Sequence, residues 1–128
     1  MAEFGFPKTS RLLNAADYKA VFSDAQIKVS CRHFLVLATA SNRSSSRLGL
    51  VIAKKHVALA VQRNRIKRQL RDTFRHHRAL LGRLDLVVLA RKDADKLSNR
   101  QLKNTIERLW QDLQGKLDRA AAKSQDNG

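Results

Sequence analysis

Apolar residues recur along this chain in two rhythms, and each change of rhythm marks an element. Tyr18 and Phe22 stand four apart, so on a helix they share one face. Asn14 precedes them as a candidate N-cap, with Asp17 three residues on in capping-box spacing. Leu13 and Tyr18 are placed for a hydrophobic staple. A first helix is therefore predicted from about Asn14. Residues 26–32 and 33–39 read as two strands, the second of them His-Phe-Leu-Val-Leu-Ala-Thr. Residues 41–46 form a Ser-rich polar turn. Residues 47–53, Arg-Leu-Gly-Leu-Val-Ile-Ala, read as a third and largely buried strand. A helical period takes over from Val57 or Ala60 and lasts to about Leu80, with Gly82 as its stop signal. Residues 84–90 make a fourth strand. Ser98 caps a final helix with Gln101 as box partner. Leu102, Ile106, Leu109, Leu113 and Leu117 give that helix one apolar stripe.

The order helix, three strands, helix, strand, helix predicts an α+β protein, an α/β sandwich in which three helices cover a four-stranded sheet. Strands three and four are joined through a helix, which predicts that they pair in parallel. No repeat or long linker interrupts the chain, so residues 1–128 are expected to be one domain. The lead-in to about residue 11 is expected to be irregular, and the small, polar tail after about Arg119 to fray.

The central helix separates its residues by chemistry. At ~100° per residue, Ile66, Leu70, Phe74 and Leu81 fall within an arc of roughly 80° and form the core-facing stripe. Lys67, Arg71, Arg75 and Arg78 fall on the adjoining face, with Arg68 at its edge and Asn64 pointing the same way. Arg65 lies further round, nearer the side opposite the core. Like charges at i, i+4 repel by a few tenths of a kcal/mol per pair, so helix stability does not explain the run. Phosphate contact does, because each neutralised phosphate releases condensed counterion. Composition strengthens that reading. Lys plus Arg is 26 against 11 for Asp plus Glu, a net charge of +15. Such a balance needs an anionic partner, nucleic acid or an acidic membrane surface. The bland explanation is a solvated basic face; agreement of net charge, Arg density and segregation weighs against it. Composition does not separate RNA from DNA.

Other chemistry is thin. Tyr18, Phe22 and Phe34 are candidates to stack unpaired bases, with Lys54 and Lys55 at a strand end to hold the backbone. Core packing is the ordinary explanation of an i, i+4 aromatic pair. His76 and His77 are adjacent and so point apart on a helix, while His33 and His56 lack partners at metal-ligand spacing. Cys31, with Arg32 and His33 as chain neighbours, is no triad, because strand residues alternate faces. Asp17, Asp24, Asp85, Asp93 and Asp95 are scattered, with no evident carboxylate pair. The residues therefore offer neither catalytic machinery nor a metal site. A single cysteine, no apolar run of ~18 residues and no signal-peptide pattern at Met-Ala-Glu-Phe-Gly-Phe-Pro lead to the expectation of a soluble, cytoplasmic protein.

One combination of motifs is more specific. Arg47-Leu48-Gly49-Leu50-Val51-Ile52-Ala53-Lys54-Lys55 is followed by the spacer His56 to Gln62. Arg63-Asn64-Arg65-Ile66-Lys67-Arg68-Gln69-Leu70-Arg71-Asp72-Thr73-Phe74-Arg75 comes next. This arrangement resembles the protein component of bacterial ribonuclease P. The similarity takes in the first-helix aromatic pair, the Asp85-to-Arg91 strand and the terminal Leu/Trp helix, roughly residues 8–113. The resemblance implies a sandwich like the second domain of ribosomal protein S5, with a left-handed βαβ crossover where general rules favour a right-handed one. It implies a partner, a catalytic RNA that uses magnesium to hydrolyse precursor tRNA at the 5′ end of the mature sequence. It assigns Arg63, Asn64, Arg65, Lys67, Arg68 and Arg71 to an RNA-contacting helix, whose outward face Arg75 extends. Tyr18, Phe22, Phe34, Lys54 and Lys55 go to a cleft for the single-stranded 5′ leader; Tyr18 stands where phenylalanine is common. Two other readings stay open. One is a ribosomal or other structured-RNA scaffold protein. The other is a DNA-binding regulator, which would need a helix-turn-helix pair where strands are predicted on both sides of residues 57–80.

Overall fold

The computed structural model describes residues 15–40, 46–81 and 83–126. The elements run α1 Ala15–Asp24, β1 Ile27–Ser30, β2 Phe34–Ala40, β3 Arg47–Val51, α2 Ala60–Leu81, β4 Leu84–Ala90 and α3 Asn99–Asp126, with a 3₁₀ turn at Ala94–Lys96. The proposed Asn14 cap, the Leu13 staple, the irregular lead-in, residues 41–45 of the polar turn and the Gly82 stop lie outside the described residues.

The sheet order is β1-β2-β4-β3. β1 and β2 are antiparallel, as are β2 and β4, and β3 runs parallel to β4. The helix-linked parallel pair is thus present. β1 is shorter than predicted because the chain turns at once: Cys31 N–H donates to the Phe34 carbonyl at 2.9 Å. β3 stops at Val51 because the Ala53 carbonyl accepts from His56 and Val57 at 3.1 and 3.0 Å, closing a turn. α3 continues past Arg119 to Asp126, through an alanine-rich run of high helix propensity. The Ser98–Gln101 capping box is formed in both directions, at 2.9 and 3.2 Å.

Pleating gives the sheet two faces. Phe34, Val36, Ala38, Leu48, Leu86 and Val88 point to the face covered by α2 and α3. There they form one core with Ile66, Leu70, Phe74, Leu102, Ile106, Leu109, Trp110 and Leu113. The two helices are also joined by a polar contact. Trp110 Nε1 donates to Thr73 Oγ1 at 2.8 Å, and that hydroxyl donates back to the Gln69 carbonyl at 2.8 Å. The Phe74 and Trp110 rings are tilted at 5.7 Å between centroids.

Among the described residues, the opposite face carries only α1, a helix of 10 residues. Val21 is its buried anchor, packed on Leu37 and Val87. Arg47 pins the same region. Its guanidinium donates to both Asp85 carboxylate oxygens at 3.0 and 2.8 Å and lies 3.6 Å from Asp17 on α1. The hydrogen bond to Asp85 holds Arg47 protonated more firmly than usual, more than offsetting its burial. Two of the carboxylates that looked scattered in the sequence therefore converge on one cation.

Candidate nucleic-acid interface

α2 presents its predicted stripe inward: Ile66, Leu70 and Phe74 have no exposure, and Leu81 only 3%. Asn64, Arg68 and Arg75 are exposed on the outside, with Lys67, Arg71 and Arg78 half-buried beside them. The first turn of α2 holds no acidic residue, and Lys54 and Lys55 are exposed in the turn before it. The positive end of the helix dipole thus adds to the side-chain charge instead of being neutralised. Arg75 meets Asp72 at 3.8 Å, a solvated pair that leaves most of the face positive.

The two arginines of the Arg-Asn-Arg block have a further task. Arg63 donates to the carbonyls of Val57 and Ala58 at 3.1 and 2.7 Å, fastening the segment that leads into α2. Arg65 does not point away from the protein, as helix geometry alone suggested. Its guanidinium donates to Gln62 Oε1 at 2.8 Å, Asn99 Oδ1 at 2.9 Å and the Asp95 carbonyl at 3.1 Å. The 3₁₀ turn and the start of α3 flank α2 on that side, so Arg65 clamps α2 to α3. Asn64, between the two arginines, stays exposed.

The aromatic candidates separate. Phe22 is 47% exposed. Tyr18 is half-buried, and its hydroxyl accepts the Leu50 N–H of the edge strand at 3.3 Å. Phe34 is fully buried, which corrects its assignment to a stacking surface. It has the β2 parity of Val36 and Ala38 and points to the α2–α3 core, on the far side of the sheet from α1. The residue on the α1 side is its neighbour Leu35. Leu35, Leu89 and Val51 are aligned across β2, β4 and β3 by the strand registers, and all three are partly exposed. With strands 4.7–4.9 Å apart, they form an apolar shelf about 10 Å wide. Tyr18 packs against the same cluster. Arg91, two residues beyond Leu89, and Lys54 and Lys55, just beyond Val51, are exposed at that end of the sheet. The shelf was missed in the sequence because period-two alternation names two faces without saying which one a short helix leaves open.

Among the described residues, no three of His, Cys, Asp or Glu stand together to hold a metal ion. Asp17 and Asp85, the carboxylates that do converge, are engaged by Arg47. No helix among the described residues is long and apolar enough to cross a membrane. Strands on both sides of α2 also remove the helix-turn-helix arrangement that a DNA reader of that type requires.

Known proteins share this pattern. The family profile described as Ribonuclease P matches residues 6–114. A ribonuclease P protein component from Marinomonas sp. (strain MWYL1) is 47% identical over 113 residues, covering 88% of this chain and 86% of the relative. One from Pseudomonas aeruginosa (strain PAO1) is 44% identical, covering 88% and 84%. Among solved structures, the RNase P protein of Staphylococcus aureus superposes with a TM-score of 0.73 at 30% identity, covering 81% of this chain and 94% of that one. The protein from Thermotoga maritima gives 0.62 at 27% identity, covering 77% and 96%. With motif, fold and relatives in agreement over most of its length, the chain belongs to the ribonuclease P protein component family, and is the RNA-binding protein subunit of that tRNA-processing ribonucleoprotein.

Proposed function

We propose that this subunit uses two surfaces for two RNAs. The outer face of α2, with Asn64, Lys67, Arg68, Arg71 and Arg75, docks on the catalytic RNA. The shelf Leu35–Leu89–Val51, with Phe22 and the edge of Tyr18 above it and Lys54 and Lys55 at its end, receives the single-stranded 5′ leader of precursor tRNA. The partner RNA performs the hydrolysis and holds the magnesium, and the protein works in the cytoplasm. The observation that carries this reading is the apolar row Leu35–Leu89–Val51, partly exposed among the described residues on the sheet face that α1 packs against, together with the 47% exposed Phe22 on α1. A scaffold protein has no use for such a surface, whereas unpaired bases stack on aromatic faces at roughly 1–3 kcal/mol each.

The test is reconstitution. The purified protein, free of RNA and of contaminating nuclease, is expected to leave precursor tRNA intact. Added to its partner RNA, it is expected to lower the magnesium concentration needed for 5′ cleavage and to favour substrates that carry a leader. Robust cleavage by the protein alone, or an equal effect on leader-bearing and leaderless RNA, would refute the division of labour.

A further inference from the structure

A second cation-lined groove lies at the opposite margin of the sheet from β3. α3 packs on β1, whereas α2 packs on β3, and these strands are the two edges in the order β1-β2-β4-β3. Two adjoining concavities run between α3 and the β1–β2 turn and share Ser30 and Asp112. Arg32 and Arg108 wall one of them, Lys116 and Arg119 the other. All four are exposed, and none belongs to the ion pairs found among the described residues. Asp112 is the single carboxylate in the lining. Arg108, Asp112, Gly115 and Arg119 recur at helical spacing, so they share one stripe. From Arg108 to Arg119 that stripe rises about 16 Å along the axis. At Gly115 a Cβ would meet nothing nearer than the Arg119 guanidinium at 4.0 Å, so the absent side chain leaves the groove open. The Lys116 ammonium donates to the Lys28 carbonyl, which holds it over the edge of β1.

We propose that this groove is a second phosphate-binding surface, which takes the backbone of an RNA strand and lets one subunit bridge two RNA segments. The inference rests on reading the chain as an RNA-binding subunit. Three guanidinium forks suit phosphodiester oxygens, which they contact in pairs. The apolar part of the lining is small, Val29, Cys31 and Leu109, which is poor anchorage for a protein segment.

The experiment compares charge reversals in the full-length protein by measuring affinity for the partner RNA and for precursor tRNA across a salt series. Arg108→Glu with Arg119→Glu is expected to weaken binding to at least one of the two RNAs by 5- to 20-fold. The log-log salt dependence should become shallower by about two. Lys103→Glu with Arg83→Glu removes the same charge outside the groove and is expected to change affinity less than twofold. Equal losses in both pairs would make the effect one of net charge and overturn the inference. So would an unchanged affinity and slope in the groove pair. A third pair, Lys67→Glu with Arg71→Glu, separates the two readings. If it abolishes RNA binding while the groove pair leaves affinity and salt slope unchanged, the groove inference fails and the proposed function stands. If it too leaves binding intact, both fail.

Discussion

Two phenylalanines show how much a single residue's position decides. Phe22 and Phe34 carry the same ring, yet one is 47% exposed and the other is fully enclosed. Phe22→Ala is expected to change stability little and to weaken leader-bearing substrate by about 5- to 100-fold relative to leaderless RNA, the equivalent of one stacked base. Phe34→Ala is expected to lose about 3–5 kcal/mol of stability through the cavity it leaves, with no leader selectivity in what remains folded. Chemical denaturation paired with substrate binding checks both, and the opposite ranking would return Phe34 to the cleft. Thr73 is a quieter case. Thr73→Val keeps the shape but leaves the buried Trp110 N–H without its acceptor. A loss of about 1–3 kcal/mol is expected in denaturant unfolding.

At the scale of the element, α2 combines anchorage, bracing and binding in successive residues. Its periodicity alone separates the apolar stripe from the basic face, and burial agrees at Ile66, Leu70, Phe74 and Leu81. Periodicity says nothing of Arg65, whose partners lie 30 and 34 residues away in the chain. The two arginines should therefore respond differently. Arg68→Ala is expected to leave stability unchanged and reduce the salt slope of RNA binding by about one. Arg65→Ala is expected to lower stability by about 1–2 kcal/mol, because it releases α2 from the start of α3. Its affinity loss should come from misorientation and depend little on salt. Identical salt slopes for the two variants would show that Arg65 also touches phosphate. β2 teaches a similar lesson, since an apolar strand buried on one face and half-covered on the other looks uniformly hydrophobic in sequence.

For the whole molecule, the decisive features join distant parts. Arg47 ties α1, β3 and β4 through Asp17 and Asp85. Asp85→Asn leaves this buried guanidinium half-satisfied, and a loss of about 2–4 kcal/mol in thermal or denaturant unfolding is expected. A near-zero change would mean that Asp17 and solvent compensate. By itself the sequence determined the helices and strands, the bounds of β4, the capping box at Ser98, the inward stripe of α2 and the polyanion-binding character. These are local: a repeat period, a cap spacing or a charge balance is complete within one segment. Only the tertiary structure decided which sheet face stays open, that Leu35 and not Phe34 lines it, that Arg65 braces α3 and that a second basic groove borders β1. Each of these depends on what packs across from a residue. Strand pairing and the short reach of α1 set that, and no local pattern encodes them.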